Sequence, residues 1–212
     1  MRKLFFSVLA FFSLFGLYAQ DAASVFIDMP RNKIMLLTDD NRKDMVDLFL
    51  HGGKERAKTA NVFGGESALT ELTPDYLRLQ LTAQNRLELK LLPSSDGGKV
   101  IAVVRTACAP VCDSRIEFYS LAWEPLNIDS LMPVLRFELF LNDKERGSEA
   151  RQNALAALDA SFFKYELNTQ NTNLNVTFTT PGLLGKEERK QLEPYLSTQP
   201  LILQWTAEGF QY

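Results

Sequence analysis

The sequence is short of the residues on which most hydrolases and metal proteins depend. It has one histidine, His51, and two cysteines, Cys108 and Cys112. One imidazole, far in sequence from both thiols, leaves a metal site two ligands short. No G-x-S-x-G elbow accompanies it to build a hydrolase triad. Two cysteines also exclude a disulfide-dense scaffold. "FGGES" has two glycines but lacks the phosphate-binding lysine pattern, so it reads as a turn. Basic charge is not in excess, with 23 Lys and Arg against 26 Asp and Glu. That balance argues against nucleic acid or an anionic membrane surface as the partner. Beyond residue 18 no run is long and apolar enough to span a bilayer. No cofactor and no metal site are expected.

What is present begins with MRKLFFSVLAFFSLFGLYAQ. Arg2 and Lys3 form a basic start, Leu4 to Tyr18 an uncharged apolar stretch, and Ala19 a small residue before Gln20. Residues 1–19 are therefore expected to be a signal peptide, and the protein to be exported to the periplasm or beyond. The stretch is shorter than the ~20 residues of a spanning helix. Two of the 23 basic residues, Arg2 and Lys3, lie within residues 1–19, which leaves 21 against 26 acidic, a balance of −5. A hydrophobic content of 46% with 15 Phe is that of a folded core.

Export bears on the cysteines, which fall in "RTACAPVCDSRIEFYS" at C-x3-C spacing. In an oxidising space they are expected to join as a structural disulfide at a hairpin tip. A redox pair is the alternative, although thioredoxin-type sites use C-x-x-C at a helix start. Metal binding is the third reading.

Along the chain, Ala22, Val25, Phe26 and Met29 repeat at helical spacing before Pro30. Met45, Leu48 and Phe49 predict a second helix, capped by Asp39, Asp40 or Asn41 and stopped at His51-Gly52-Gly53. "KERAKTANVFGGES" reads as a loop. Leu77, Leu79 and Leu81, then Leu87, Leu89 and Leu91, alternate with polar residues and predict a hairpin. Setting Leu81 opposite Leu87 and Leu79 opposite Leu89 places its turn at Ala83-Gln84-Asn85. Strands at Val100–Thr106 and Ile116–Ser120 complete a four-stranded meander. "LMPVLRFELFLN" suits either a strand or a buried helix. From Ser148 a helix is expected, then a hairpin with Phe163, Tyr165 and Leu167 facing Phe178, Val176 and Leu174. A helix over "GKEERKQLEPYL" and two short strands follow.

The fold class is thus α+β, in two tandem halves of helix plus antiparallel sheet. Residues 20–124 form the N-terminal half, 125–146 a connector and 147–212 the C-terminal half. A shift of 86 aligns Leu72, Leu81, Gln84 and Asn85 with Leu158, Leu167, Gln170 and Asn171. An internal duplication is one reading; the other is that amphipathic hairpins look alike.

"NRKDMVDLF", "FGGESALTELTPDYLRLQL", "LELKLLP", "RTACAPVCDSRIEFY", "ALAALDASF" and "TFTTPGLLGKEERKQLEPYL" together resemble secreted Bacteroidales proteins grouped as a domain of unknown function. The resemblance implies export and an envelope setting. It carries no catalytic residues to transfer. The tandem layout also resembles the β-lactamase inhibitor protein, by fold analogy alone.

Individual residues read modestly. His51 suits a helix end better than catalysis. Glu71 and Asp75 flank a strand start and read as solvated rather than as an acid/base pair. Glu187 and Glu188 favour a helix N-terminus. Trp123 and Trp205 read as packing aromatics at strand ends. Asp129-Ser130-Leu131 matches a short O-glycosylation pattern, with Ser130 the acceptor. The function expected is a non-enzymatic envelope module that binds a protein or other macromolecular partner. A small-ligand or lipid carrier is the alternative, and a hydrolase without visible residues the third.

Overall fold

The computed structural model describes residues 20–212, and the signal peptide expected over residues 1–19 lies outside them. The first described helix, α1 (Ala22–Ile27), begins where the Asp21 carboxylate accepts the Ser24 N–H at 2.8 Å. It buries Ala22, Val25 and Phe26, the stripe that its spacing predicts. The next helix, α2 (Asp39–Asp47), is capped one residue earlier than expected, by Thr38. Its hydroxyl accepts the Asn41 N–H at 3.1 Å, while Asn41 Oδ1 accepts the Thr38 N–H at 3.2 Å. A wider turn over Leu48–Gly52 follows, and Gly53 leaves it at φ 83°, a conformation that glycine adopts without strain.

The first sheet has six strands in chain order: β1 (Lys58–Ala60), β2 (Glu66–Leu72), β3 (Tyr76–Gln80), β4 (Asn85–Pro93), β5 (Lys99–Cys108) and β6 (Cys112–Tyr119). Two of these correct the sequence reading. β1 and the start of β2 lie in the segment expected to be loop. A short polar edge strand has no apolar face to signal it.

The β3–β4 register is also corrected. Leu77 lies opposite Leu89 and Leu79 opposite Leu87, a slip of two residues from the expected pairing. Such a slip keeps every leucine on its face, so the apolar pattern cannot detect it. The turn decides instead. Thr82 Oγ1 accepts the Gln84 and Asn85 N–H groups, and the Leu81 N–H donates to Asn85 O at 2.8 Å.

β5 is buried on both faces from Val100 to Val104. On one side, Ile101 and Val103 join Leu77, Leu79, Leu87 and Leu89 against α1 and α2. On the other, Val100, Ala102, Val104, Ile116 and Phe118 meet a second sheet. That sheet is introduced by α3 (Glu149–Leu155), capped by Ser148, and contains β7 (Phe163–Leu167) and β8 (Leu174–Phe178). After α4 (Lys186–Leu192) come β9 (Leu201–Thr206) and β10 (Gly209–Gln211), in the spatial order β10-β9-β8-β7. Phe163, Tyr165 and Leu167 lie opposite Phe178, Val176 and Leu174, as the sequence predicts.

Residues 125–146 form neither the strand nor the buried helix. They hold short 3-10 turns at Ile128–Ser130 and Phe137–Phe140, and Phe140 packs into the second core. Pro125 and Pro133 each remove a donor that a ladder or helix would need.

The α+β class with antiparallel sheets stands. β3–β6 and β7–β10 are both meanders, but β1 and β2 separate the first helices from their hairpin and have no counterpart before β7. Duplication, and the likeness to the β-lactamase inhibitor protein, are not confirmed.

Candidate functional site

Apart from the two cysteines, the residues singled out in the sequence do not come together. Cys108 and Cys112 face each other at the ends of β5 and β6 and are joined by a disulfide. Thr179 donates its hydroxyl to Cys112 O at 2.6 Å, tying this tip to the end of β8. His51 is exposed and lies 3.1 Å from the Asp47 carbonyl, at a helix end. Glu71 is paired with Arg78, and Asp75 with the buried Lys90 ammonium at 2.8 Å. Each carboxylate of the candidate pair is therefore held by its own cation. Burial pushes Asp75 up, but the hydrogen bonds from Lys90 and Thr73 outweigh it and hold the carboxyl below its ordinary value. Glu188 accepts the Gly185 N–H at the start of α4. "FGGES" is the β1–β2 turn, closed by Asn61 N–H to Gly65 O at 2.7 Å. Trp123 packs on Tyr119 in the first core, and Trp205 stacks on Phe118 while its ring N–H donates to Pro93 O. Ser130 sits in an exposed turn and donates to Asn127 O.

Two features were not legible as sites. The first is a set of charges between the sheets. Glu88, Arg86 and Lys90 lie on the polar face of β4, which would be solvated in a lone meander. β7 covers it, and the Glu88 side chain is 1% exposed. Its Oε2 accepts the Leu167 N–H at 2.8 Å, while Oε1 lies 3.1 Å from Arg86 Nε and 3.4 Å from Arg78 Nε. Burial pushes the Glu88 carboxyl up despite Arg86, the Leu167 N–H and Arg78. Asp113 and Ser114 side chains accept the Phe163 and Tyr165 N–H groups in the same way. β7 is an edge strand, and three of its outward donors are thus satisfied by side chains of the first sheet. This arrangement clamps the sheets together.

The second feature is the outer edge of β6. The Phe118 carbonyl accepts the Leu126 N–H at 2.9 Å, and Cys112 O accepts Thr179, so both groups point away from β5. The two-residue period puts Ser114 and Ile116 on the same outer edge. Among the described residues their outward backbone groups have no partner. Beside them runs a groove of about 510 Å³ whose walls include Ile116, Phe118, Leu126, Met132 and Tyr165. Burial, then the nearby Asp113 carboxylate, push Tyr165 up to about 12, so its hydroxyl is a neutral hydrogen-bonding group. A second groove of about 540 Å³ lies at the hairpin tips, walled by Leu36, Phe63, Leu81, Arg86, Arg105 and Arg115. Arg115 lines both.

Fold and edge together define a two-sheet α+β module with a groove along the open outer edge of a strand. The chain belongs to the family described as "Protein of unknown function (DUF3256)", which it matches over residues 14–210. It is similar to the solved structure of a domain of an uncharacterized protein from Porphyromonas gingivalis W83, at 28% identity and a TM-score of 0.77. That match covers 89% of this chain and 96% of the other. No curated protein matches. The family and the Porphyromonas relative bear out the resemblance carried by the cysteine block and its neighbours.

Proposed function

We propose that this protein is an exported, non-enzymatic envelope module that holds an extended segment of a protein partner along the outer edge of β6. The observation that carries this reading is the unpaired edge at Ser114 and Ile116 beside a groove of mixed polar and apolar walls. An added strand would satisfy the outward backbone groups, and the groove would take its alternate side chains. The disulfide suits an oxidising compartment, and among the described residues no helix is long and apolar enough to cross a membrane. Nucleic acid is not proposed as a partner. Removal of residues 1–19 and a sugar on Ser130 belong to the same reading. Ser130 lies beside Ile128 and Asp129, which line the β6 groove, so a sugar there would stand at its rim.

A photo-crosslinker at Val134, which is 77% exposed and lines the groove, tests this against one at Leu50, elsewhere on the surface. Adducts in the native envelope should form at Val134 and not at Leu50. A synthetic copy of the captured segment should then slow amide exchange at Ser114, Ile116 and Phe118. Equal adducts at both positions, or unchanged exchange, would reject the reading. The carrier alternative rests on the apolar wall of the second groove, Leu36, Phe63 and Leu81. Native mass spectrometry showing a co-purified lipid in place of a peptide would favour it.

A further inference from the structure

The groove at the hairpin tips specifies the chemistry of that segment. Three arginines line it, Arg86, Arg105 and Arg115, against one acidic residue, Asp113. The chain as a whole carries −3, whereas the charged residues of this lining are mostly cationic, their partner carboxylates Glu88, Glu117 and Glu166 standing outside it. The three cations differ in how far they are already committed. Arg86 faces Glu88 and, at 3.6 Å, Glu166. Arg105 pairs with Glu117 at 3.1 Å and donates to Lys33 O at 2.7 Å. Among the described residues Arg115 pairs only with the far oxygen of Glu117, at 3.3 Å, and its side chain is 78% exposed. Asp113 is turned in part toward the second sheet, where it accepts the Phe163 N–H. An incoming carboxylate would therefore meet Arg115 first, in a groove whose lining also includes the apolar Leu36, Leu81 and Ala107.

The rim adds an apolar anchor. Phe63 is 79% exposed, and Met35 and Val62 beside it are exposed as well. The Val62 N–H donates to Leu36 O at 3.1 Å, which holds the two loops of this rim side by side. Exposed aromatic and aliphatic side chains grouped around arginine make a recognition surface. Because Arg115 belongs to both grooves, a strand laid on Ser114 and Ile116 would run directly into this corner. We propose that the segment held by β6 is an acidic peptide in which Asp or Glu alternates with apolar residues, its carboxylates meeting Arg115 and Arg105 and one apolar side chain packing on Phe63. This rests on the reading of β6 as an edge that accepts a strand.

The test uses three fluorescein-labelled octapeptides and the full mature chain. One alternates Val or Phe with Glu, one replaces every Glu by Lys, and one is the acidic peptide N-methylated at alternate amides. The net charge of the protein favours the lysine peptide, whereas the groove favours the acidic one. Fluorescence anisotropy should show the acidic peptide bound at least about tenfold more tightly than the lysine peptide. Arg115→Glu should weaken the acidic peptide at least about fivefold, and Arg146→Glu, an equal charge change at another exposed arginine, less than about twofold. Equal binding of acidic and lysine peptides, equal effects of the two reversals, or no binding by any peptide would overturn the inference. Acidic binding that survives N-methylation would keep the charge preference and reject strand addition.

Discussion

Glu88 shows how one residue changes meaning with its surroundings. In "NRLELKLLP" it is the polar alternate of an amphipathic strand, and beneath β7 it is a buried acceptor. Glu88→Ala should cost about 3 kcal/mol, since it strands the Leu167 N–H and leaves Arg86 without its nearest counter-charge. Urea unfolding measures this. Glu88→Gln retains an acceptor and removes the titration. The folded carboxyl is held above its ordinary value of 4.5, so the native state binds the proton more tightly than the unfolded chain. Stability from this group is greatest below pH 4.5 and is lost as pH rises through the raised value. The wild type should therefore lose stability relative to Glu88→Gln between pH 4.5 and 8. A gap that widens in favour of the wild type over that range would contradict the raised value. Asp75→Asn removes the counter-ion of Lys90, whose side chain is 1% exposed. We expect a loss of about 2 kcal/mol, below the ~3–5 kcal/mol of fully buried pairs because Asp75 is half-exposed and water can replace it.

At the scale of elements, the strands rest on local alternation and their registers on turns. Leu77 to Leu91 announce a hairpin, but a two-residue slip is silent in the apolar pattern and Thr82 selects the register. The second hairpin was legible outright, because setting Phe163, Tyr165 and Leu167 against Phe178, Val176 and Leu174 leaves one pairing that fills one face. β1 was not legible, being short, polar and at an edge. The candidate site follows the same division. The cysteine tip could be read from residues and the compartment expected for them, whereas the β6 edge could not, because edge status depends on which strand the chain adds next. The disulfide closes a short loop, and the tip is also held by Thr179. Replacing Cys108 and Cys112 together with serine should cost at most about 2 kcal/mol and leave the sheet folded, as urea titration and circular dichroism would report. A larger loss would mean that the bond supports more than its own loop.

For the whole molecule, the decisive feature is that one sheet serves two cores. α1 and α2 cover one face of β3–β6, and the second sheet covers the other. Neither core persists without that sheet, so unfolding should be one cooperative event. Trp123 lies in the first core and Trp205 packs against the second, so Trp205→Phe and Trp123→Phe variants each leave one reporter. Their fluorescence transitions in urea should coincide; separate midpoints would mean that the cores melt independently. The sequence by itself determined the α+β class, most helices and strands, the cysteine pairing expected of an exported chain, and the family resemblance. These rest on short-range periodicity, capping and composition, which act within about one element. Tertiary structure alone decided the burial of Glu88, the clamp on β7, the open edge of β6 and the arginine corner beside Phe63. Each of these arises where segments tens of residues apart meet, and the same Arg, Glu or Phe has no distinguishing local pattern until those segments are brought together.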